Sequence, residues 1–193
     1  MLSRFAVSRR LASRASRNLR YFSFLSDYES HVAERAAMAS GHGVAPKPLD
    51  AAQVSALLTE LPTATAENRS TLVHLLATRV PPGVDEAAYV KAGFLSAVAQ
   101  GTTTCPGLSR EYAMELLGTM QGGYNVATLV QLLEDSDPAI SALAAKQLKT
   151  TLLVFDTFYD IEQLHQKGCH AATTVLESWA KAEWFLKDRK SVV

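Results

Sequence analysis

Hydrophobic residues recur along this chain at helical spacing and not at strand spacing. No run alternates apolar and polar residues for more than a few positions, which argues against a half-buried β-sheet. Between residues 85 and 101, by contrast, Val90, Phe94 and Val98 repeat every fourth position and fall on one helical face. Gly93 lies inside that segment, where glycine costs about 1 kcal/mol relative to alanine, so we expect a close helix contact there. The pattern predicts an all-α fold of about eight or nine helices.

Capping residues and helix breakers set the predicted boundaries. Asp50 with Gln53 three positions later forms a capping-box pattern, and Asp137 followed by Pro138 is a strong helix start. Asn68 is predicted to cap a further helix that stops before two consecutive prolines and a glycine. The predicted helices span residues 27–38, 50–61, 68–79, 85–101, 109–118, 124–134, 138–148 and 171–187, with a further helical segment around residues 155–159.

The segment spanning residues 129–148 predicts how the helices are arranged. Two helices flank a tight turn that contains Asp135 and Asp137, and the second helix carries small alanines. Two antiparallel helices joined in this way form one HEAT-type repeat, although Ser141 stands where a basic residue is usual. The sequence therefore predicts a HEAT-like α-solenoid.

Aromatic residues mark the last helices. Phe155, Phe158 and Tyr159 lie about one turn apart and are predicted to pack inward. Trp179 belongs to the apolar stripe of the last helix and is predicted to lie in the core. Trp184 lies off that stripe and is predicted to be a surface residue.

Charge is segregated between the first residues and the rest of the chain. The formal net charge is zero, yet the first 24 residues contain six arginines, five serines and no acidic residue. Such a leader is typical of a mitochondrial transit peptide, and residues 20–23 resemble a matrix-protease motif with the cut after Phe22 and before Ser23. The alternative is a basic arm for nucleic acid or anionic lipid. The transit-peptide interpretation makes residues 1–24 a leader.

The remaining chain has a composition that excludes several classes. It keeps 13 basic and 19 acidic residues, a formal charge of about −6, which disfavours nucleic-acid binding. No stretch approaches 18 consecutive apolar residues, so no transmembrane segment is predicted. Cys105 and Cys169 lie far apart in sequence, and the reducing matrix predicts that both are free thiols.

His165, Cys169 and His170 form the best candidate for a metal site. Ligands at positions i and i+4 share a helix face, as zinc ligands often do. However, Lys167 and Gly168 are predicted to break the helix between them, and no fourth ligand is evident. A polar loop is the favoured interpretation.

Two further groups of residues have features of a binding or catalytic site. Residues 121–125 precede a helix whose amides are able to hold an anion, but a lone Gly-Gly is better explained as a turn that needs a positive φ. Asp156, Asp160 and Glu162 are candidate acid–base carboxylates, yet their spacing suits a solvated helix face. Neither group predicts catalysis.

Five long motifs, at residues 31–37, 45–50, 79–95, 115–125 and 178–186, carry a resemblance. They are similar to segments of the bacterial-type aconitase B family. By this resemblance, residues 25–187 are identified as the N-terminal HEAT-like domain of that family, followed by a short tail at residues 188–193. In the family this domain precedes the catalytic domains, where a [4Fe–4S] cluster requires three cysteine ligands. This chain has two cysteines, so the resemblance implies neither catalysis nor a bound cofactor.

Two functions are compatible with this resemblance. The first is a non-catalytic interaction module in the mitochondrial matrix or at the matrix face of the inner membrane, an accessory subunit of a respiratory, ATP-synthase or metabolic complex. The alternative is the N-terminal piece of a split or fragmentary aconitate hydratase of the tricarboxylic acid cycle, docking in trans on a 4Fe-4S catalytic chain. The candidate interaction residues are Trp184, Tyr124 and Asn125.

Overall fold

The computed structural model describes residues 23–38, 45–151, 154 and 157–181. These residues form nine α-helices and one 3₁₀ turn, and no strand is found among them. The prediction of an all-α fold of eight or nine helices is therefore confirmed. The helices are α1 (Phe24–Ala37), α2 (Ala51–Glu60), α3 (Ala66–Thr78), α4 (Glu86–Ala99), α5 (Arg110–Gly118), α6 (Val126–Gln131), α7 (Pro138–Leu148), α8 (Thr157–Gln166) and α9 (His170–Ala180), with the 3₁₀ turn at Leu132–Glu134 between α6 and α7.

Local capping determines where α2 and α7 begin. Asp50 Oδ1 accepts a hydrogen bond from the Gln53 amide at 2.8 Å, and Gln53 Oε1 accepts one from the Asp50 amide at 3.0 Å. Before α7, Asp137 Oδ1 accepts from the Ala139 amide at 2.9 Å, with Pro138 at the first helical position. Both predicted starts are confirmed, because each cap satisfies amides that have no partner inside the helix.

Two helices begin earlier than predicted. Thr65 caps α3 by accepting from the Asn68 amide, so Asn68 lies in the first turn and is not the cap. Ser23 caps α1 in the same way, and Phe24 behind it is buried and donates its amide to Glu60 Oε2 at 2.7 Å. The folded part thus includes Ser23 and Phe24, which the sequence had assigned to the leader.

The helices pack in an order that follows the chain closely. Contacts join α2 to α4, α4 to α5, α5 to α7 and α7 to α9, while α1 packs on α2 and α8 packs on α6 and α9. One apolar core runs through all of them, and burying a leucine in such a core stabilises the fold by about 1.5–3 kcal/mol. The superhelical curvature of a solenoid stays a prediction. Fully buried leucines include Leu57, Leu72, Leu95, Leu117, Leu129 and Leu148.

Helix α4 buries only part of the predicted face: Val98 is buried as predicted, but the other two residues of that face are not fully buried. Lys91 and Leu95 are buried, whereas Val90 and Phe94 are only half-buried. Apolar residues surround almost the whole of this helix, so its sequence periodicity fits more than one face. The close contact expected at Gly93 is wrong, because Gly93 is exposed and a Cβ built there meets nothing within 4 Å.

The aromatic residues before α9 are also placed differently. Phe158 and Tyr159 are exposed rather than packed inward, and Ile161 and Leu164 provide the buried face of α8. The Phe158 ring stacks on the half-buried Trp179, with ring centroids 6.3 Å apart. Phe155 lies outside the described residues, as does the predicted continuation of the last helix to residue 187.

Candidate functional site

Two loops that are distant in sequence meet on one side of the molecule. We call them the paired loops: residues 81–84, between α3 and α4, and residues 121–124, between α5 and α6. The Gln121 amide donates to the Pro82 carbonyl oxygen at 3.0 Å. The Tyr124 hydroxyl donates to the Val84 carbonyl oxygen at 2.9 Å. These two hydrogen bonds hold the loops in a defined register.

Glycines allow the paired loops to approach closely. A Cβ on Gly122 would lie 2.5 Å from the Gly83 carbonyl oxygen, a distance that side chains do not tolerate. Gly123 has a φ of +84°, which confirms the predicted positive-φ turn. The Gly-Gly pair is thus explained by backbone packing within the protein.

Asn125 holds the end of α5 and is completely buried. Its Nδ2 donates to the Leu117 carbonyl oxygen at 2.7 Å and to the Met120 carbonyl oxygen at 3.4 Å. The Leu117 carbonyl also accepts from the Met120 amide at 3.1 Å, so the Asn125 side chain adds a second hydrogen bond at the C-terminal end of α5. The predicted part of Asn125 in an interaction surface does not fit this burial. Tyr124, its neighbour, is 37% exposed.

An exposed apolar surface lies directly beside the paired loops. Val84 is 71% exposed and Tyr89, on the first turn of α4, is 64% exposed. The Tyr89 and Tyr124 rings meet edge to face, with centroids 5.4 Å apart. We call Val84, Tyr89 and Tyr124 the aromatic platform. Gly93 follows Tyr89 by one helical turn and extends the same side of α4.

Lys91 lies on the buried side of α4 and was missed by the sequence analysis. Its Nζ donates to the Ala77 and Val80 carbonyl oxygens, at 3.3 and 3.4 Å, at the C-terminal end of α3. Burial lowers the pKa of Lys91 to about 8. Lys91 shares a helical face with Ala88 and Leu95, and this spacing is the signal that would have found it.

Two of the three metal candidates have hydrogen-bond partners, and the third, His170, is exposed. His165 Nδ1 is hydrogen-bonded to Thr173 Oγ1 at 2.8 Å, and Cys169 Sγ donates to the Leu133 carbonyl oxygen at 3.6 Å. The helix is interrupted between α8 and α9, as predicted, and Gly168 in that turn has a φ of +88°. Across the described part of the chain, no three His, Cys, Asp or Glu side chains are grouped for a metal ion.

The remaining candidates are distributed as follows. Asp160 is exposed, and Glu162 Oε1 accepts from Gln166 Nε2 within α8. Trp184, Phe22 and Asp156 lie outside the described residues. No helix in the described ranges is long and apolar enough to cross a membrane.

Comparison with known proteins gives a consistent result. The family model for the aconitate B N-terminal domain matches residues 27–185. The chain is 55% identical to aconitate hydratase B of Salmonella typhimurium and 54% identical to that of Escherichia coli, over 162 residues in each case. The Helicobacter pylori enzyme is 46% identical over 166 residues. Each match covers 84% of this chain but 18% of the relative's length. The chain therefore belongs to the aconitate B N-terminal domain family.

Proposed function

We propose that this chain is a non-catalytic protein–protein interaction subunit of a mitochondrial assembly, and that the aromatic platform is its docking face. The observation that carries the proposal is that Tyr89 and Val84 are well exposed although both belong to a rigid framework. Tyr124 fixes them through its ring contact with Tyr89 and its hydrogen bond to Val84. Exposed aromatic residues that are already ordered lose little conformational entropy on binding, which favours their use at interfaces.

Gly93 supports the same face. Glycine inside a helix destabilises it by about 0.5–1 kcal/mol relative to alanine, and no neighbour within the described structure requires it. A missing side chain one turn from Tyr89 leaves space in which the backbone of a partner helix is able to approach α4. We therefore infer that Gly93 is kept at this position for contact with a partner protein.

The non-catalytic part of the proposal is supported by the cysteines and by the coverage of the relatives. A [4Fe–4S] cluster is held by cysteine thiolates, and the chain has two cysteines. Each is hydrogen-bonded to a different carbonyl, Cys105 to Pro106 and Cys169 to Leu133. The hydratase activity named for the relatives belongs to proteins of which this chain spans 18%.

A substitution at Gly93 separates docking from folding. Gly93→Gln introduces a better helix former at an exposed position, so it should raise stability by about 0.5–1 kcal/mol while its side chain blocks a partner. We expect proteins that co-purify with the tagged wild-type chain from mitochondria to be lost with Gly93→Gln and with Tyr89→Ala. Tyr159→Ala is the matched control, because Tyr159 on α8 is 62% exposed and distant in sequence. The docking face is refuted if the three variants retain the same partners, or if Tyr159→Ala loses them equally.

The mitochondrial location rests on the leader. Six arginines and no acidic residue in the first 24 positions are typical of an import signal. A cut after Phe22 would leave Ser23, the cap of α1, as the first residue, so the folded part would stay intact. Residues 1–30 fused to a fluorescent reporter should enter mitochondria, and cytosolic fluorescence would contradict the proposal.

The second candidate is docking in trans on a separate aconitase catalytic chain. The 55% identity to the Salmonella typhimurium enzyme favours it, since the match includes the segments that form the platform. The test mixes the purified chain with aconitate hydratase B from Escherichia coli that lacks its own N-terminal domain. Binding that is weakened by Gly93→Gln, with a gain in hydratase activity, would support this candidate. If the two chains do not bind, the second candidate is rejected and the first proposal remains.

A further inference from the structure

A pocket of about 310 Å³ opens at the C-terminal end of α3. Its walls are the last residues of α3, the start of the loop at residues 81–82, the end of α5 and the segment at residues 45–49. The Leu49 amide donates to the Arg79 carbonyl oxygen at 2.9 Å, which fixes that segment across the end of α3. The pocket is thus bounded by backbone whose hydrogen bonds are defined.

Lys91 lines this pocket from α4 and is 1% exposed. Its ammonium group has three N–H donors and makes two hydrogen bonds to carbonyl oxygens, with long Nζ–O distances of 3.3 and 3.4 Å. Among the described residues, the ion pairs are Arg110–Asp135 and Glu177–Lys181, so no carboxylate neutralises Lys91 there. A buried cation without a counter-ion is unfavourable, and a bound anion would remove that penalty.

The other walls indicate what kind of anion would fit. Arg79 is a second cationic residue among those that line the pocket, and no acidic residue lines it. Pro46, Pro82 and Leu116 supply apolar surface, which suits a hydrocarbon and not a fully hydrated ion. The lining therefore combines positive charge with an apolar wall.

We propose that this pocket binds a small monocarboxylic acid, with its carboxylate at Lys91 and Arg79 and its hydrocarbon part against the prolines. This site does not depend on the docking face, because Tyr89 and Gly93 do not line it. Binding at such a site would respond to the protonation of Lys91.

The pH dependence identifies the group that binds. With a pKa of about 8, the charged fraction of Lys91 falls about tenfold between pH 7 and pH 9, and affinity should fall with it. Arg79, at the C-terminal end of α3, is the other ionisable residue that lines the pocket. The facing walls from α5 and the 45–49 segment contribute Leu116, Thr119 and prolines, which do not titrate.

The test is calorimetric titration of the full chain with butyrate, acetate and inorganic phosphate. We expect butyrate to bind most tightly, with an affinity about tenfold lower at pH 9 than at pH 7. Lys91→Met should reduce the affinity at least tenfold, and Ala77→Met, which lengthens a side chain that lines the pocket, should also reduce it. Lys146→Met is the matched control, because Lys146 is exposed on α7 and should leave binding unchanged.

The outcomes separate the alternatives clearly. If Lys91→Met does not fold, the Ala77→Met variant and the pH series of the wild-type chain decide the question. Equal binding of phosphate and butyrate overturns the apolar part of the proposal. Binding that does not change between pH 7 and pH 9, or that Lys146→Met weakens as much as Lys91→Met, overturns the site.

Discussion

Replacing Gly93 and Gly122 by alanine makes the same chemical change at two positions with opposite surroundings. Gly93 lies inside α4 with nothing within 4 Å of its added Cβ, so alanine should stabilise the fold by about 0.5–1 kcal/mol. Gly122 has no left-handed φ, and its added Cβ would lie 2.5 Å from the Gly83 carbonyl oxygen. The backbone would have to move, and overpacking of this kind costs about 1–3 kcal/mol.

Thermal unfolding followed by circular dichroism measures both effects. For a chain of this size, 1 kcal/mol shifts the melting temperature by about 2–4 °C. Gly93→Ala should therefore raise the melting temperature by about 1–4 °C, and Gly122→Ala should lower it by about 2–12 °C. Amide exchange at Gln121, which donates to Pro82, should accelerate only in the Gly122 variant.

Two results would refute this reasoning. If Gly122→Ala is as stable as the wild-type chain, the paired loops are not in close contact. If Gly93→Ala lowers the melting temperature, Gly93 has a neighbour inside the protein, and its use as support for an external contact fails with it.

Three further predictions concern the buried polar groups and the last helix. Relative to Lys91→Met, the wild-type free energy of unfolding should rise by about 2 kcal/mol between pH 8 and pH 10. The lowered pKa of Lys91 destabilises the folded state until the buried ammonium group loses its proton. Denaturant unfolding at several pH values measures this rise. Asn125→Ala should cost about 2–4 kcal/mol in urea unfolding, since it removes both hydrogen bonds of a fully buried amide, whereas Tyr124→Phe should cost about 1 kcal/mol. Equal losses would contradict the burial of Asn125. Trp179→Phe should cost about 1 kcal/mol by removing the indole bond to the Leu148 carbonyl, and an unchanged urea midpoint would show that this bond contributes little.

The parts of the fold that could be predicted from sequence are those determined by nearby residues. Asp50 and Asp137 were identified as caps because a cap and its amide partner lie two or three positions apart. Gly123 and Gly168 were expected in turns, and both have a positive φ. The family was also recognisable, since its motifs are continuous in the chain.

Positions that depend on tertiary packing could not be predicted in the same way. The buried face of α4 is determined by α2 and α5, which contact it. Lys91 can be buried because carbonyl oxygens at the C-terminal end of α3 accept hydrogen bonds from its ammonium group. Phe158 and Tyr159 look like core residues in sequence, yet Ile161 and Leu164 occupy the core side of α8. The aromatic platform combines residues about 40 positions apart, so no local pattern contains it.

The paired loops also bear on how this protein unfolds. The bond between Tyr124 and Val84 joins residues 40 positions apart, and the closed segment contains all of α4 and α5. Closing such a segment costs about 3 kcal/mol of chain entropy, so the contact should form only after both helices exist. Helices α4 and α5 also pack on each other, so opening either one breaks contacts of the other. Amides of α4 and α5 should therefore exchange with solvent together, as one cooperative unit, whereas α1 should open independently and earlier.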